Sequence, residues 1–170
     1  MHDLLDDKSS YAVLKEDPRR ATERKLLGLL RDLRKQSKIN ETFYDIVRPS
    51  EGSSKPALFY GIVKLHKPTK PVRPVVATRG TSTYSLAKRL YRILRPLEGK
   101  SDRVLRNTAD LVESMEEVTL DENEVLVSYD VRSLFTSIPV DEAISICERK
   151  LKQDDELRTR TDRDVDTIVQ

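Results

Sequence analysis

The sequence predicts an α+β protein in which helices flank one antiparallel β-hairpin and a separate strand lies further along the chain. Three observations predict it. Leucines recur at helical spacing over residues 26–33 and again over 86–94. Two extended apolar runs, 57–66 and 72–78, are punctuated by prolines. A third run, 125–130, strings β-forming residues together and ends on a single acid, Asp130.

Composition limits what such a fold can be used for. At 170 residues the chain is long enough to bury a core. A hydrophobic fraction of 37% against 35% charged residues describes a soluble protein with a heavily charged surface. No apolar run is long enough to cross a membrane, and the N-terminus lacks the basic-then-apolar order of a secretory leader, so secretion is not expected. The single cysteine, Cys147, excludes an internal disulfide and reads as a small buried side chain. With only two histidines beside it, a structural zinc site is excluded as well.

The net charge of +2 conceals a strong segregation: residues 1–59 sum to +2, 60–106 to +10 and 107–170 to −10. The middle block is suited to a polyanion. A basic segment running into an acidic one also suits phosphoryl transfer, where cations meet phosphates and carboxylates hold a divalent metal. Solvated acidic helices beside a basic surface would give the same pattern.

Taken in order, residues 1–16 read as a polar lead-in, with Tyr11, Val13 and Leu14 available to dock on the body. Asp17 and Pro18 read as the N-cap and first residue of a helix that buries Leu26, Leu27, Leu30 and Leu33. The Ser, Asn, Pro and Gly content of residues 37–56 reads as a connector. The two extended runs then form a hairpin, since Pro68, Pro71 and Pro74 forbid helix, and Pro74 places its strand at an edge. Lys64, His66, Lys67, Lys70 and Arg73 gather at the tip, where they repel one another unless an anion is near.

Thr81, Ser82 and Thr83 precede a helix that carries Leu86, Leu90 and Leu94 on one face and Lys88, Arg89, Arg92 and Arg95 on the others, ending near Pro96. Its basic side suits a nucleic-acid backbone. Asn107 and Thr108 open a shorter helix whose Leu111, Val112, Met115 and Val118 are expected to pack under the sheet. After the run 125–130 a turn leads into a helix near Pro139, with Val140, Ile144, Cys147 and Leu151 on its expected buried face. Residues 152–163 are almost wholly polar, and a further helix begins at Val165.

The segments Leu58-Phe-Tyr-Gly-Ile-Val-Lys-Leu-His-Lys-Pro68, Val72-Arg-Pro-Val-Val76, Tyr84-Ser-Leu-Ala-Lys88 and Leu126-Val-Ser-Tyr-Asp-Val-Arg-Ser-Leu-Phe-Thr-Ser-Ile-Pro139, in this order and spacing, closely resemble the reverse transcriptases of Penelope-like retroelements. The resemblance extends over nearly the whole chain. One departure is Val63, where that family usually has proline.

The resemblance implies an incomplete right-hand polymerase fold. It comprises a helical N-terminal extension and connector at 1–56, fingers at 57–123, and the start of the palm, with the first palm strand, at 124–170. It also implies roles. Asp130 would be the first catalytic carboxylate, binding two Mg2+ ions with the Val131 carbonyl as an added ligand. Lys64 and Arg73 would hold the incoming deoxynucleoside triphosphate, helped by the amides of Ser133 and Leu134. Phe135 would lie under the sugar and exclude a 2′-hydroxyl, although taken alone it reads as an ordinary core aromatic. His66, Lys67, Lys70, Lys88, Arg89 and Arg92 would contact an RNA template and DNA primer. The family's Tyr-x-Asp-Asp motif does not occur in these residues. The expectation is therefore a retrotransposon polymerase fragment, inactive alone, from an intracellular and nuclear parent without membrane partners. A non-catalytic RNA- or DNA-binding module of retroelement origin is the alternative.

Overall fold

The computed structural model describes residues 6, 8, 11–49, 52–100, 104–116, 118–131 and 134–170, with backbone only at 135 and 136. Helix α1 spans Arg19–Lys35. It starts one residue later than its sequence predicts, with Pro18 rather than Asp17 at the N-cap; the Pro18 carbonyl accepts the Thr22 N–H at 2.9 Å, and the Asp17 carboxylate accepts the Arg19 backbone N–H at 3.0 Å. Leu26, Leu27, Leu30 and Leu33 are all buried, the four expected. Its exit is a Schellman turn, in which the Lys38 N–H bonds to the Leu33 carbonyl at 2.9 Å and the Ser37 N–H to the Arg34 carbonyl at 3.0 Å. Ser37 holds the left-handed position of that turn, with φ 58°.

The expected connector contains a helix, α2, over Glu41–Val47. Asn40 caps it, its side chain accepting the Phe43 N–H at 2.8 Å. Phe43, Tyr44 and Val47 then meet Leu26, Leu30, Leu33 and Ile39 to form the first of two cores. The signal was present in the sequence: a capping asparagine followed by apolar residues one turn apart.

Strands β1, Leu58–Val63, and β2, Val72–Ala77, pair antiparallel, as the sequence predicts. The Lys64 N–H bonds to the Pro71 carbonyl at 2.9 Å, which makes 64 and 71 a hydrogen-bonded pair. Such pairs alternate along an antiparallel ladder, so Gly61 and Pro74, three steps on, fall at a non-bonded position. Pro74 therefore forfeits no ladder bond. The Lys55 N–H reaches the Gly80 carbonyl at 2.8 Å and closes the hairpin base. Tyr11 docks edge-on to Phe59 with ring centroids 6.1 Å apart, while Val13 and Leu14 stay exposed.

Helix α3, Tyr84–Leu94, is followed by one 3-10 turn over Arg95–Leu97. Leu86 packs on the first core. Leu90, Leu94 and Leu97 pack on a second, built from Ile93, Leu151, Leu157 and Ile168, so α3 is the strut shared by both. Ile93, outside the i, i+4 leucine series, is the residue of α3 that is fully covered, whereas Tyr91 is exposed.

Helix α4, Thr108–Glu116, is capped by Asn107, whose side chain accepts the Asp110 N–H at 3.0 Å. It does not pack under the hairpin as expected: Leu111, Val112 and Met115 are exposed. A ribbon of two strands offers too little apolar area to cover a helix. The larger correction concerns the strand expected over 125–130. Residues 125–131 form no helix or ladder, and Val125, Leu126, Val127 and Tyr129 are exposed. A strand exists only where a neighbour supplies hydrogen-bond partners, and among the described residues β1 and β2 pair only with each other.

Beyond it lie α5, Leu134–Ser137, and α6, Val140–Lys152, which starts after Pro139 with Asp141 and Glu142 in its first turn. Of the expected buried face of α6, Leu151 is buried, Cys147 half-buried, and Val140 and Ile144 exposed. Two short helices follow, α7 over Leu157–Arg160 and α8 over Val165–Val169. The Asp164 side chain caps α8 by accepting the Thr167 N–H at 2.7 Å. No helix of the described residues is long and apolar enough to cross a membrane.

Candidate nucleic-acid interface

The hairpin carries its cations outward on a stiff, doubly turned tip. The Lys67 N–H bonds to the Lys64 carbonyl at 3.2 Å and the Lys70 N–H to the Lys67 carbonyl at 2.9 Å. Pro68 and Pro71 restrict the backbone on either side. His66, Lys67, Lys70 and Arg73 are exposed, and Lys64, at the end of β1, is half-buried. Among the described ion pairs none involves Lys64, Lys67, Lys70 or Arg73. Cations left without carboxylates on a rigid projection are an electrostatic footprint for an external anion.

Helix α3 adds a second basic strip. Lys88 and Arg92, one turn apart, are exposed, and Arg89 between them is half-buried. These three were expected to touch nucleic acid, and they share one helix without an ion-pair partner among the described residues.

The expected catalytic group lies in the segment that forms no helix or ladder. Asp130 and Val131 are exposed in the unpaired segment, and the Leu134 side chain is exposed at the start of α5. Ser133 lies outside the described residues, as does the side chain of Phe135. No hydrogen bond or ion pair among the described residues links Asp130 to Lys64 or Arg73. Among the described residues no three His, Cys, Asp or Glu side chains are grouped to hold a metal. Asp130 supplies one carboxylate, and a two-metal centre takes several.

One cluster was not foreseen from the sequence. The polar segment after α6 folds back so that Arg158, Arg160 and Arg163 line an open cleft of about 400 Å3 with Arg89 of α3 and Phe43 of α2. The Arg163 guanidinium lies 3.7 Å from the Phe43 ring centroid and bonds to the Thr161 hydroxyl at 3.1 Å and the Asp162 carboxylate at 2.8 Å. Arg160 is paired with Asp154, a bond that holds the Asp154 carboxyl below its ordinary range. The residue types were visible in the sequence, but their convergence depends on contacts across more than a hundred positions.

No family model matches this chain, and neither any curated protein nor any solved structure is found to be similar to it.

Proposed function

We propose that the chain is a nucleic-acid-binding portion of an RNA-directed DNA polymerase, combining a fingers hairpin with the region that carries the first catalytic carboxylate. The observation that carries this reading is the exposed hairpin tip, whose Lys67, Lys70 and Arg73 have no carboxylate partners among the described residues. The resemblance of four ordered segments to Penelope-like reverse transcriptases supplies the reaction: addition of deoxynucleotides to a primer 3′-hydroxyl on an RNA template. In that reading Asp130 and the Val131 carbonyl contribute to a Mg2+ site completed by other carboxylates. Lys64 and Arg73 offset charge on the triphosphate. A nuclear setting belongs to the same proposal.

A second reading, a retroelement-derived module that binds RNA or DNA without chemistry, is favoured by the exposed Asp130, which belongs to no metal-ligating group among the described residues. Both readings require binding through the basic surface. The test is the affinity for an RNA–DNA primer–template measured across a salt series. Tight binding at low salt is expected, with a log–log salt slope that falls by about one for each phosphate contact removed, as in Lys67→Ala and Lys70→Ala. Absence of binding at low salt would sink both readings. Nucleotide addition by a longer chain that contains residues 1–170, lost in Asp130→Asn, would decide for the enzyme.

A further inference from the structure

The arginine cleft has features that packing alone does not call for. Residues 89 and 158–163 reach it from α3 and from the segment after α6, and Phe43 reaches it from α2. Four of its lining residues are arginines and one, Asp162, is a carboxylate. Arg163 is 7% exposed, and its Nε–H, like that of Arg160, is buried without a hydrogen-bond acceptor among the described atoms. An N–H removed from water and left unmatched costs free energy, so native proteins supply such donors with a partner. Burial pulls the Arg163 guanidinium below its ordinary value, and the nearby Arg89 adds to this against the opposing pull of Asp162. Arg160 is paired with Asp154 and Arg163 with Asp162, which leaves Arg89 and Arg158 without an ion pair among the described residues; an oxyanion would balance them, and forked guanidinium donors match phosphate oxygens.

We propose that Arg89, Arg158, Arg160 and Arg163 form a second anion site that takes a backbone phosphate of a bound nucleic-acid strand. The strand is favoured over a free phosphate because Arg89 belongs to both surfaces. It lines the cleft and sits between the exposed Lys88 and Arg92 on α3. Phe43 and Thr161 hold Arg163 in place, so its fork is set before the phosphate arrives. This inference rests on the proposed nucleic-acid binding of the basic surface, and the experiment separates the two.

The probes are a short labelled RNA oligonucleotide and inorganic phosphate, each titrated into the full chain. The readouts are the arginine side-chain N–H resonances and the oligonucleotide affinity. The oligonucleotide is expected to move the Nε–H resonances of Arg160 and Arg163. Arg158→Gln, on an exposed residue, is expected to weaken affinity about tenfold and lower the salt slope by about one, independently of Lys67→Ala. Arg163→Lys, which keeps the charge and loses the fork, is expected to weaken affinity with the slope nearly unchanged. Circular dichroism of each variant checks the fold. If the oligonucleotide binds and Lys67→Ala weakens it, yet the cleft resonances and Arg158→Gln are unaffected, the cleft assignment is overturned and the hairpin reading stands. Movement with inorganic phosphate alone overturns the nucleic-acid assignment in favour of a free phosphate. No binding of the oligonucleotide at low salt overturns both.

Discussion

Glu23 and Ser54, 31 positions apart, are joined by a 2.5 Å bond from the serine hydroxyl to the Glu23 carboxylate. The Gly52 N–H reaches the other carboxylate oxygen at 2.5 Å, and the whole residue is only 5% exposed. Glu23, one turn before Leu26 and Leu27 on the buried face of α1, therefore fastens the turn that leads into the hairpin onto that helix. Arg19 adds a bond to the Ser54 carbonyl at 3.3 Å.

The clamp makes stability depend on pH with a definite sign. The Ser54 hydroxyl, then the Gly52 N–H, hold the Glu23 carboxyl below its ordinary value of 4.5. A lowered folded-state value stabilises the fold above the unfolded value and is lost as the group takes up a proton on acidification. The contribution of Glu23 is thus complete at neutral pH and fades as pH falls below about 4.5, through the lowered folded value. Asp154 and Asp164, each lowered from 3.8, act in the same direction slightly further into acid. Thermal melts from pH 7 downward are expected to show Tm falling in that range. Glu23→Gln should melt lower at neutral pH and follow a flatter acid limb, and parallel limbs for the two proteins would refute the clamp.

The two cores predict a sharp division among apolar substitutions. Leu30 and Leu151 are each 1% exposed, one in each cluster. Leu30→Ala and Leu151→Ala are each expected to cost about 2–5 kcal/mol in urea unfolding, the transfer loss plus the cavity. Met115→Ala, on the exposed face of α4, is expected to stay within about 0.5 kcal/mol of the parent. A Met115 cost comparable with Leu30 would mean that α4 is covered in solution.

What could be read from the sequence divides along the same physical line. Local signals are read correctly: the leucine period of α1, its start to within one residue of Pro18, the Asn107 cap, and the prolines that punctuate the hairpin. Helix α2 was missed although Asn40, Phe43 and Val47 carry its signature, because seven residues amid serines and prolines resemble a connector. The run 125–130 failed for a different reason. Valine and tyrosine favour a pleated surface, but propensity cannot supply the neighbouring strand, and none pairs there among the described residues. The arginine cleft was out of reach altogether, since Arg89 and Arg163 are 74 positions apart and share a cleft whose wall also takes Phe43 from the first core.

Ser37 offers a stabilising change with a mechanism. It occupies the left-handed position of the Schellman turn that ends α1, with φ 58°. A residue with a Cβ pays roughly 1 kcal/mol there relative to glycine. Ser37→Gly is expected to raise stability by several tenths of a kcal/mol up to about 1 kcal/mol, part of the gain being returned to the freer unfolded chain. Lys38 N–H and Ser37 N–H should keep their slow hydrogen exchange, because both bonds of the turn are retained.

Asp130 provides the last and most discriminating prediction, since its chemistry depends on neighbours. The side chain is exposed in the unpaired segment 125–131. Among the described residues no grouped carboxylates or histidines share a metal with it. Removing a charge of this kind leaves a fold nearly unchanged, so Asp130→Asn is expected to shift unfolding free energy by less than about 0.5 kcal/mol. A single exposed carboxylate also binds Mg2+ too weakly for the ion to stabilise the folded state by mass action. Millimolar Mg2+ should therefore leave Tm the same in the parent and in Asp130→Asn. In a longer chain that supplies further carboxylates, the ion should raise Tm in the parent and not in Asp130→Asn. A Mg2+-dependent rise that requires Asp130 in the 170-residue chain itself would show that ligands for the ion are already assembled there.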